Sequence, residues 1–571
     1  MTRVGRANSW LLGLALLSLC SLAPAGDPEP VRSPGGEPGR VHALVGAAIV
    51  PAPGQRLERG TILIRDGLIE AIGPAVKVPD DAQVWDLSGR TIYPGLIEPY
   101  LRLASRPDPE AKPAAAPAPP AGGGATHPNP KIQAHQDVAR GLILEREALA
   151  SLRQAGFTAA LVAPERGILR GTSALVALRD GTAREQVIEA RVAHHLAFEY
   201  GGWESRSYPN SLMGAMALAR QTLLDAEHNA AAWEVYRRKP LGAPRPQSDE
   251  SLKSLGDALS GQLPLCLEAR DAGMLLRGAN LLREFELVPW VVLGSNDAPR
   301  WLDEVRASEA QLILSLNFAP LPIWDSEAEL PDVAHAALRA WHEEPAAPGL
   351  LERAGVSFAF TSQGLKDRSQ LLARVREAIS RGLSEQAALE ALTTVPSKLL
   401  GAPQLGTIRT GGAANLTISV GPLFEETSAV TEVWVEGLRY PTQTELPTPK
   451  DLAGRWRLSG PGEDLVLELS HEEGLLSGKI PAAAGEEGAE DQALGPVELW
   501  RDRLRIQLPA SSGGLILTLR GRPPLLEGRL GEGPLLLQKL APKPKAPKEG
   551  QPPPRPLRPL DLPVRAPWPP L

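Results

Sequence analysis

The sequence predicts an α/β protein: a (β/α) barrel flanked by strand-rich segments and followed by a small all-β domain. Three observations carry that expectation. Between residues 94 and 403, short apolar runs alternate with helical periodicity, the order that builds a parallel sheet covered by helices. Dense strand signals stand on both sides of this region, over 41–93 and 404–440. Beyond it, over 451–541, apolar strands recur at about ten-residue spacing with Gly-rich turns, the pattern of a small antiparallel barrel or sandwich.

The chain begins with an export signature. Arg3 and Arg6 precede an apolar run from Trp10 to Leu22, and Ala23-Pro24-Ala25 supplies the small-x-small cleavage pattern. Residues 1–25 are therefore expected to be removed, leaving a secreted or periplasmic protein cleaved near Ala25. The run is too short for a membrane span, and no later segment is long and apolar enough to be one. After cleavage Cys266 is the only cysteine, which excludes an intramolecular disulfide and cysteine-built zinc sites. A formal net charge of −7 with both signs interspersed gives no electrostatic reason to expect nucleic acid as a partner.

Val41–Val50 is apolar, and Thr61–Arg65 and Leu68–Ile72 flank Asp66-Gly67, a strong hairpin-turn signal. Val84–Leu87 and Thr91–Tyr93 follow, then Pro94-Gly95. In the barrel region Ala159–Val162, Ala174–Leu178, Leu265–Leu267, Trp290–Leu293, Leu312–Ser315 and Val356–Thr361 read as strands. Gln370–Arg381 and Glu385–Leu392 read as helices. An insertion at 105–132, almost wholly Ala, Pro, Gly and charged residues, is expected to be disordered because it cannot bury apolar area. Leu416–Val420 and Val433–Val435 return as strands. The tail 542–571 is Pro-rich and basic, most simply an extended disordered segment, with a polyproline contact to an unknown partner as the other reading.

The segments LIRDGLIEAIGP (63–74) and VWDLSGRTIYPGLIEPYLRL (84–103) resemble the amidohydrolase superfamily, in particular its imidazolonepropionase-like and dihydroorotase-like branch. ALTTVPSKLLG (391–401), GTIRTGGAANLTISVG (406–421) and TEVWVEG (431–437) are similar to that family's last barrel helix and returning strands. The resemblance spans roughly 41–440. It implies a metal-dependent-hydrolase-type TIM (β/α)8 barrel over 94–403, with a sequence-split β-sandwich formed by 41–93 and 404–440. It also implies hydrolysis of carbon–nitrogen bonds other than peptide bonds, using zinc or another divalent metal.

The family's metal chemistry lowers the pKa of bound water from about 16 towards 7 and uses an Asp to take the proton. The resemblance places its ligands on strand ends, and here those positions hold other residues. The His-x-His positions are Tyr100 and Arg102; the fifth strand carries Glu268, the sixth Leu293, and the eighth Gln363 in place of Asp. An Arg and a Leu at ligand positions are incompatible with a shared divalent ion. Elsewhere, His194 and His195 are adjacent, and neighbouring side chains face opposite ways on a strand and diverge by about 100° on a helix, so the pair is a poor chelate. No catalytic residue, metal ligand or cofactor is thus expected. Tyr100, Arg102, Glu268, Leu293 and Gln363 are read as a vestigial pocket able to take a small-molecule ligand at the barrel mouth, with Arg102 and Glu268 expected to pair. The function expected is a secreted pseudoenzyme or binding protein; the alternative is an active amidohydrolase with a non-standard or relocated site.

Overall fold

The computed structural model describes residues 41–102, 126–200, 208–322, 335–426, 428–442, 449–459, 464–472, 475–481, 491–500, 503–509, 516–522, 525–530 and 533–540. The export segment, most of the insertion and the Pro-rich tail lie outside the described residues.

Five strands open the chain: β1 (Val41–Ile49), β2 (Leu57–Arg65), β3 (Leu68–Gly73), β4 (Ala82–Asp86) and β5 (Arg90–Pro94). The β2–β3 turn is built by Asp66 and Gly67, at φ 53° and 78°, the left-handed pair that matches hairpin twist. Glycine is required there sterically too, because a Cβ would sit 2.8 Å from the carbonyl oxygen of Glu436.

The central strands follow: β6 (Leu96–Arg102), β7 (Phe157–Ala163), β8 (Leu169–Thr172), β9 (Ala174–Ala177), β10 (Val187–Glu189), β11 (His194–Ala197), β12 (Leu265–Ala269), β13 (Trp290–Leu293), β14 (Gln311–Ser315) and β15 (Phe358–Thr361). They form two sheets, β10-β9-β7-β6 and β15-β14-β13-β12-β11-β8. Only Ser173 separates β8 from β9, so one bent stretch of chain joins the sheets. Thr361 Oγ1 lies 2.8 Å from the Tyr100 carbonyl, bringing β15 against β6. β6 and β7 run parallel, as do β11 to β15.

The β8–β9 stretch departs from the parallel order expected. It pairs antiparallel to both β7 and β11. The reason is chain length: a parallel return needs a crossover of about a dozen residues or more, and the link 164–168 is too short for one.

The parallel strands β12 to β15 are buried on two faces. Leu267, Val291, Leu314, Phe358 and Phe360 face a core shared with the surrounding helices, while Tyr100, Leu161, Cys266, Val292, Ile313 and Ala359 fill the inner side. The helices carry local caps: Asp271 accepts from Met274 N ahead of helix Ala272–Arg283, and Ser384 accepts from Ala387 N ahead of Glu385–Leu392. Gly278 lets the first of these lie directly on its strand, since a Cβ there would meet Leu267 Cδ2 at 2.2 Å.

The end of the expected disordered insertion is ordered. Ile132 is buried and bridges to Leu169, and Lys131 Nζ donates to the carbonyls of Tyr200 and Pro209, both at 2.6 Å. An apolar Ile and satisfied backbone acceptors are enough to dock residues that composition alone assigns to the insertion.

After the helices, β16 (Leu416–Val420), β17 (Val430–Val435) and β18 (Leu438–Pro441) return to the first sheet, whose order is β18-β17-β16-β5-β1-β2-β3, with β4 beside β1. Leu416–Val420 pairs antiparallel with Arg90–Pro94, so the two ends of the central region are stitched into one sheet. Trp434 is fully buried and meets Trp85 edge-on at 5.8 Å.

The last unit holds β19 (Gly454–Ser459), β20 (Leu465–Glu472), β21 (Leu475–Ile480), β22 (Gln492–Ala493), β23 (Val497–Trp500), β24 (Arg503–Gln507), β25 (Ile516–Arg522), β26 (Leu525–Leu530) and β27 (Gly533–Lys539). Every pairing is antiparallel. Because β27 pairs with β19 and β20 with β21, the meander closes on itself. Trp456, Leu467, Leu504, Leu519 and Leu537 fill its inside, and Trp456 Nε1 donates to the Leu452 carbonyl at 2.8 Å.

Candidate functional site

The β6 ladder carries a register shift between Glu98 and Leu101, and beyond it Tyr100 and Arg102, two residues apart, both reach Glu268. Glu98 is completely buried. Its carboxyl accepts from Ser362 N at 2.8 Å, Tyr100 N at 3.2 Å and the Thr361 hydroxyl. Desolvation pushes its pKa above the usual carboxylate range, and those hydrogen bonds oppose the rise without cancelling it. Glu98 ties β6 to the end of β15 and does not point donors at a ligand.

Tyr100 is buried, and its hydroxyl donates to Glu268 Oε1. Burial, reinforced by the negative charge of Glu268, raises its phenol pKa well above the usual value. Arg102 is partly open, with 30% of its side chain exposed. Its backbone N–H donates to Gln363 Oε1 at 3.1 Å, and its Nη1 lies 3.5 Å from Glu268 Oε2. Four of the five residues singled out from sequence therefore meet at one place: Tyr100, Arg102, Glu268 and Gln363.

Leu293 does not join them. It is buried in the outer core with Leu267, Val291 and Leu314, and the inner side of β13 carries Trp290 and Val292 instead. Strand alternation makes this a parity correction: one residue's shift along a strand moves a side chain to the other face.

Two residues that sequence reasoning missed complete the cluster. Arg170, on β8, is fully buried. Its Nε donates to the Gly167 carbonyl at 3.0 Å, its Nη1 donates to Glu268 Oε1, and its Nη2 lies 2.9 Å from Glu199 Oε2. Glu199 follows β11, is 57% exposed, and places Oε1 3.5 Å from Arg102 Nη1. The tight partner of Glu268 is thus Arg170, with Arg102 a looser second cation. The available signal was an Arg inside the apolar stretch Ile168–Thr172, since a buried guanidinium must find an anion.

Beneath these ions lie His195 and Cys266, opposite one another in the β11–β12 register. The His195 ring is 5.7 Å from that of Tyr100, and neither ring nitrogen has a hydrogen-bond partner among the described residues. Desolvation, then the positive charge of Arg170, hold His195 well below the usual imidazole pKa. Burial and Glu268 push the Cys266 thiol up, so it is not a thiolate nucleophile near neutral pH. His194 points the other way, its Nε2 2.7 Å from the Ser254 carbonyl.

The donor set does not fit a divalent ion. Glu98 and Glu268 spend their oxygens on the partners named above, two guanidinium groups stand beside Glu268, and no group of three or more His, Cys, Asp and Glu side chains is placed to hold a metal among the described residues.

No family model matches the chain. Of solved structures, an amidohydrolase from Thermotoga maritima MSB8 is similar with a TM-score of 0.57 at 19% identity, over 70% of this chain and 99% of that one. The amidohydrolase fold is therefore the one this chain shares. An imidazolonepropionase from Deinococcus radiodurans is 35% identical over 108 residues, 18% of this chain and 27% of that protein, so the chain matches about a quarter of that relative's length. A molinate hydrolase has a TM-score of 0.44 at 16% identity, covering 71% of this chain and 96% of its own.

Proposed function

We propose that this chain is an amidohydrolase-fold binding protein that works without the divalent ion implied by the resemblance, in other words a pseudoenzyme. One observation carries the reading: Glu268, at the end of β12, is engaged by Arg170, Arg102 and the Tyr100 hydroxyl together. Two fixed cations beside the carboxylate supply the positive charge that a metal would bring, and they would repel one. In this reading β6, β7, the reversed β8–β9 stretch and β11 to β15 are the eight staves of a (β/α) barrel. The first sheet is the split sandwich, and the cluster lies at the mouth where such barrels build their sites. We further propose that the protein is exported, on the strength of its N-terminal signature. No helix among the described residues is long and apolar enough to cross a membrane.

Thermal unfolding in excess zinc, manganese or chelator tests the reading. A site filled at a hundred times its dissociation constant would add about 2.7 kcal/mol. The expected outcome is one melting temperature in all three conditions. Saturable stabilisation by one ion, reversed by chelator, would return the protein to the metal-dependent hydrolases.

A further inference from the structure

We propose that the mouth is a receptor for a small carboxylate, held between Arg102 and Arg170, and that Glu199 occupies this position when no ligand is bound. The inference rests on the metal-free reading of the site and adds the chemical class of its ligand. The Glu199 carboxylate already spans the two cations, with one oxygen 3.5 Å from Arg102 Nη1 and the other 2.9 Å from Arg170 Nη2. Two guanidinium groups converging on one carboxylate is a recognition geometry. Glu199 is a weakly held occupant of it. Its side chain is 57% exposed, it follows the end of β11, and among the described residues its carboxylate touches only these two groups.

Arg170 is the second observation. It is completely buried, yet its Nη2 makes no well-directed hydrogen bond even though Glu199 lies close. An incoming carboxylate free to choose its angle can satisfy that donor, which a side chain tethered to its backbone does not. Charge counting selects the class. Arg102 and Arg170 face Glu268 and Glu199, so turning Glu199 outward leaves one net positive charge, with Glu165 adding only a weaker field at Arg102. A single carboxylate restores neutrality, whereas a doubly charged phosphate or sulfate would overshoot.

Calorimetric titration of the mature protein with sodium acetate, against sodium chloride and sodium sulfate at matched ionic strength, tests this. Removing an internal competitor raises apparent affinity by the inverse of the fraction of sites it had left free. Glu199→Gln is expected to bind acetate at least about tenfold more tightly than the wild type. Arg102→Gln in the Glu199→Gln background should abolish the gain, and sulfate should bind no better than chloride. Glu199→Ala serves as a second variant with the same expected result. The proposal is overturned if acetate binds neither variant above the chloride control, if Arg102→Gln leaves binding unchanged, or if sulfate outcompetes acetate. Metal content is measured on the same samples. Stoichiometric metal defeats the metal-free reading, whereas metal-free protein indifferent to acetate defeats the carboxylate receptor alone.

Discussion

Arg170→Met is expected to destabilise the protein by about 3–5 kcal/mol, because it leaves Glu268 in the interior without its tight partner. Methionine nearly matches the volume, so the loss reports charge and hydrogen bonding, not a cavity. Glu268 would keep only the Tyr100 hydroxyl and the looser contact to Arg102. Pairing Arg170→Met with Glu268→Gln should recover most of the loss, since the uncompensated charge is then gone. Arg102→Ala is the contrasting case. Its guanidinium is 3.5 Å from either carboxylate and partly in solvent, so a cost of about 0–1 kcal/mol is expected. Denaturant titrations of these three variants against the wild type check the pattern, and an Arg170→Met cost below about 1 kcal/mol would place the buried charge elsewhere.

Acidification should produce the second large effect. His194 is buried, its pKa lowered from 6.5 to about 4 mainly by desolvation, and its Nδ1 has no hydrogen-bond partner among the described residues. A histidine whose folded pKa lies below its unfolded value gives stability that is complete above about 6.5. That stability drains away as pH falls towards 4, because the unfolded chain takes up the proton first. At about 1.4 kcal/mol per unit, His194 alone accounts for about 3 kcal/mol, and His195 acts in the same direction. Glu98 opposes them, since its raised pKa favours the folded state as pH falls. His194→Gln is therefore the measurement that isolates the effect. Between pH 7 and 4 the wild type should lose stability relative to this variant, and parallel profiles would contradict the assignment.

Much of this structure was legible where a residue's local chemistry has one solution. Asp66-Gly67 could be read as a hairpin turn because few pairs adopt left-handed backbone twice. Glu385–Leu392 matched its helix at both ends, with Ser384 as the cap. The poor chelate geometry of His194 and His195 could be read on either a strand or a helix, and the structure makes the segment a strand. Leu293 was misplaced because WVVL is apolar on both faces, so its pattern carries no inside or outside. The reversed β8–β9 stretch was implicit in the short link before it, a matter of reach that periodicity does not register. Arg170 and Glu199 belong to no motif; what joins them is a contact between strands distant in sequence. Of the candidate site, then, the sequence carried the substitutions at Tyr100, Arg102, Glu268 and Gln363, but not the cation that holds them together.

Metal content of the purified protein tests the central claim most directly. After exposure to dilute zinc and dialysis against a metal-free buffer, elemental analysis should find well below one equivalent of zinc, manganese or iron per chain. One or two equivalents surviving dialysis, and lost on replacing Glu268, would show that the guanidinium cluster yields to an ion and that the site is a metal centre.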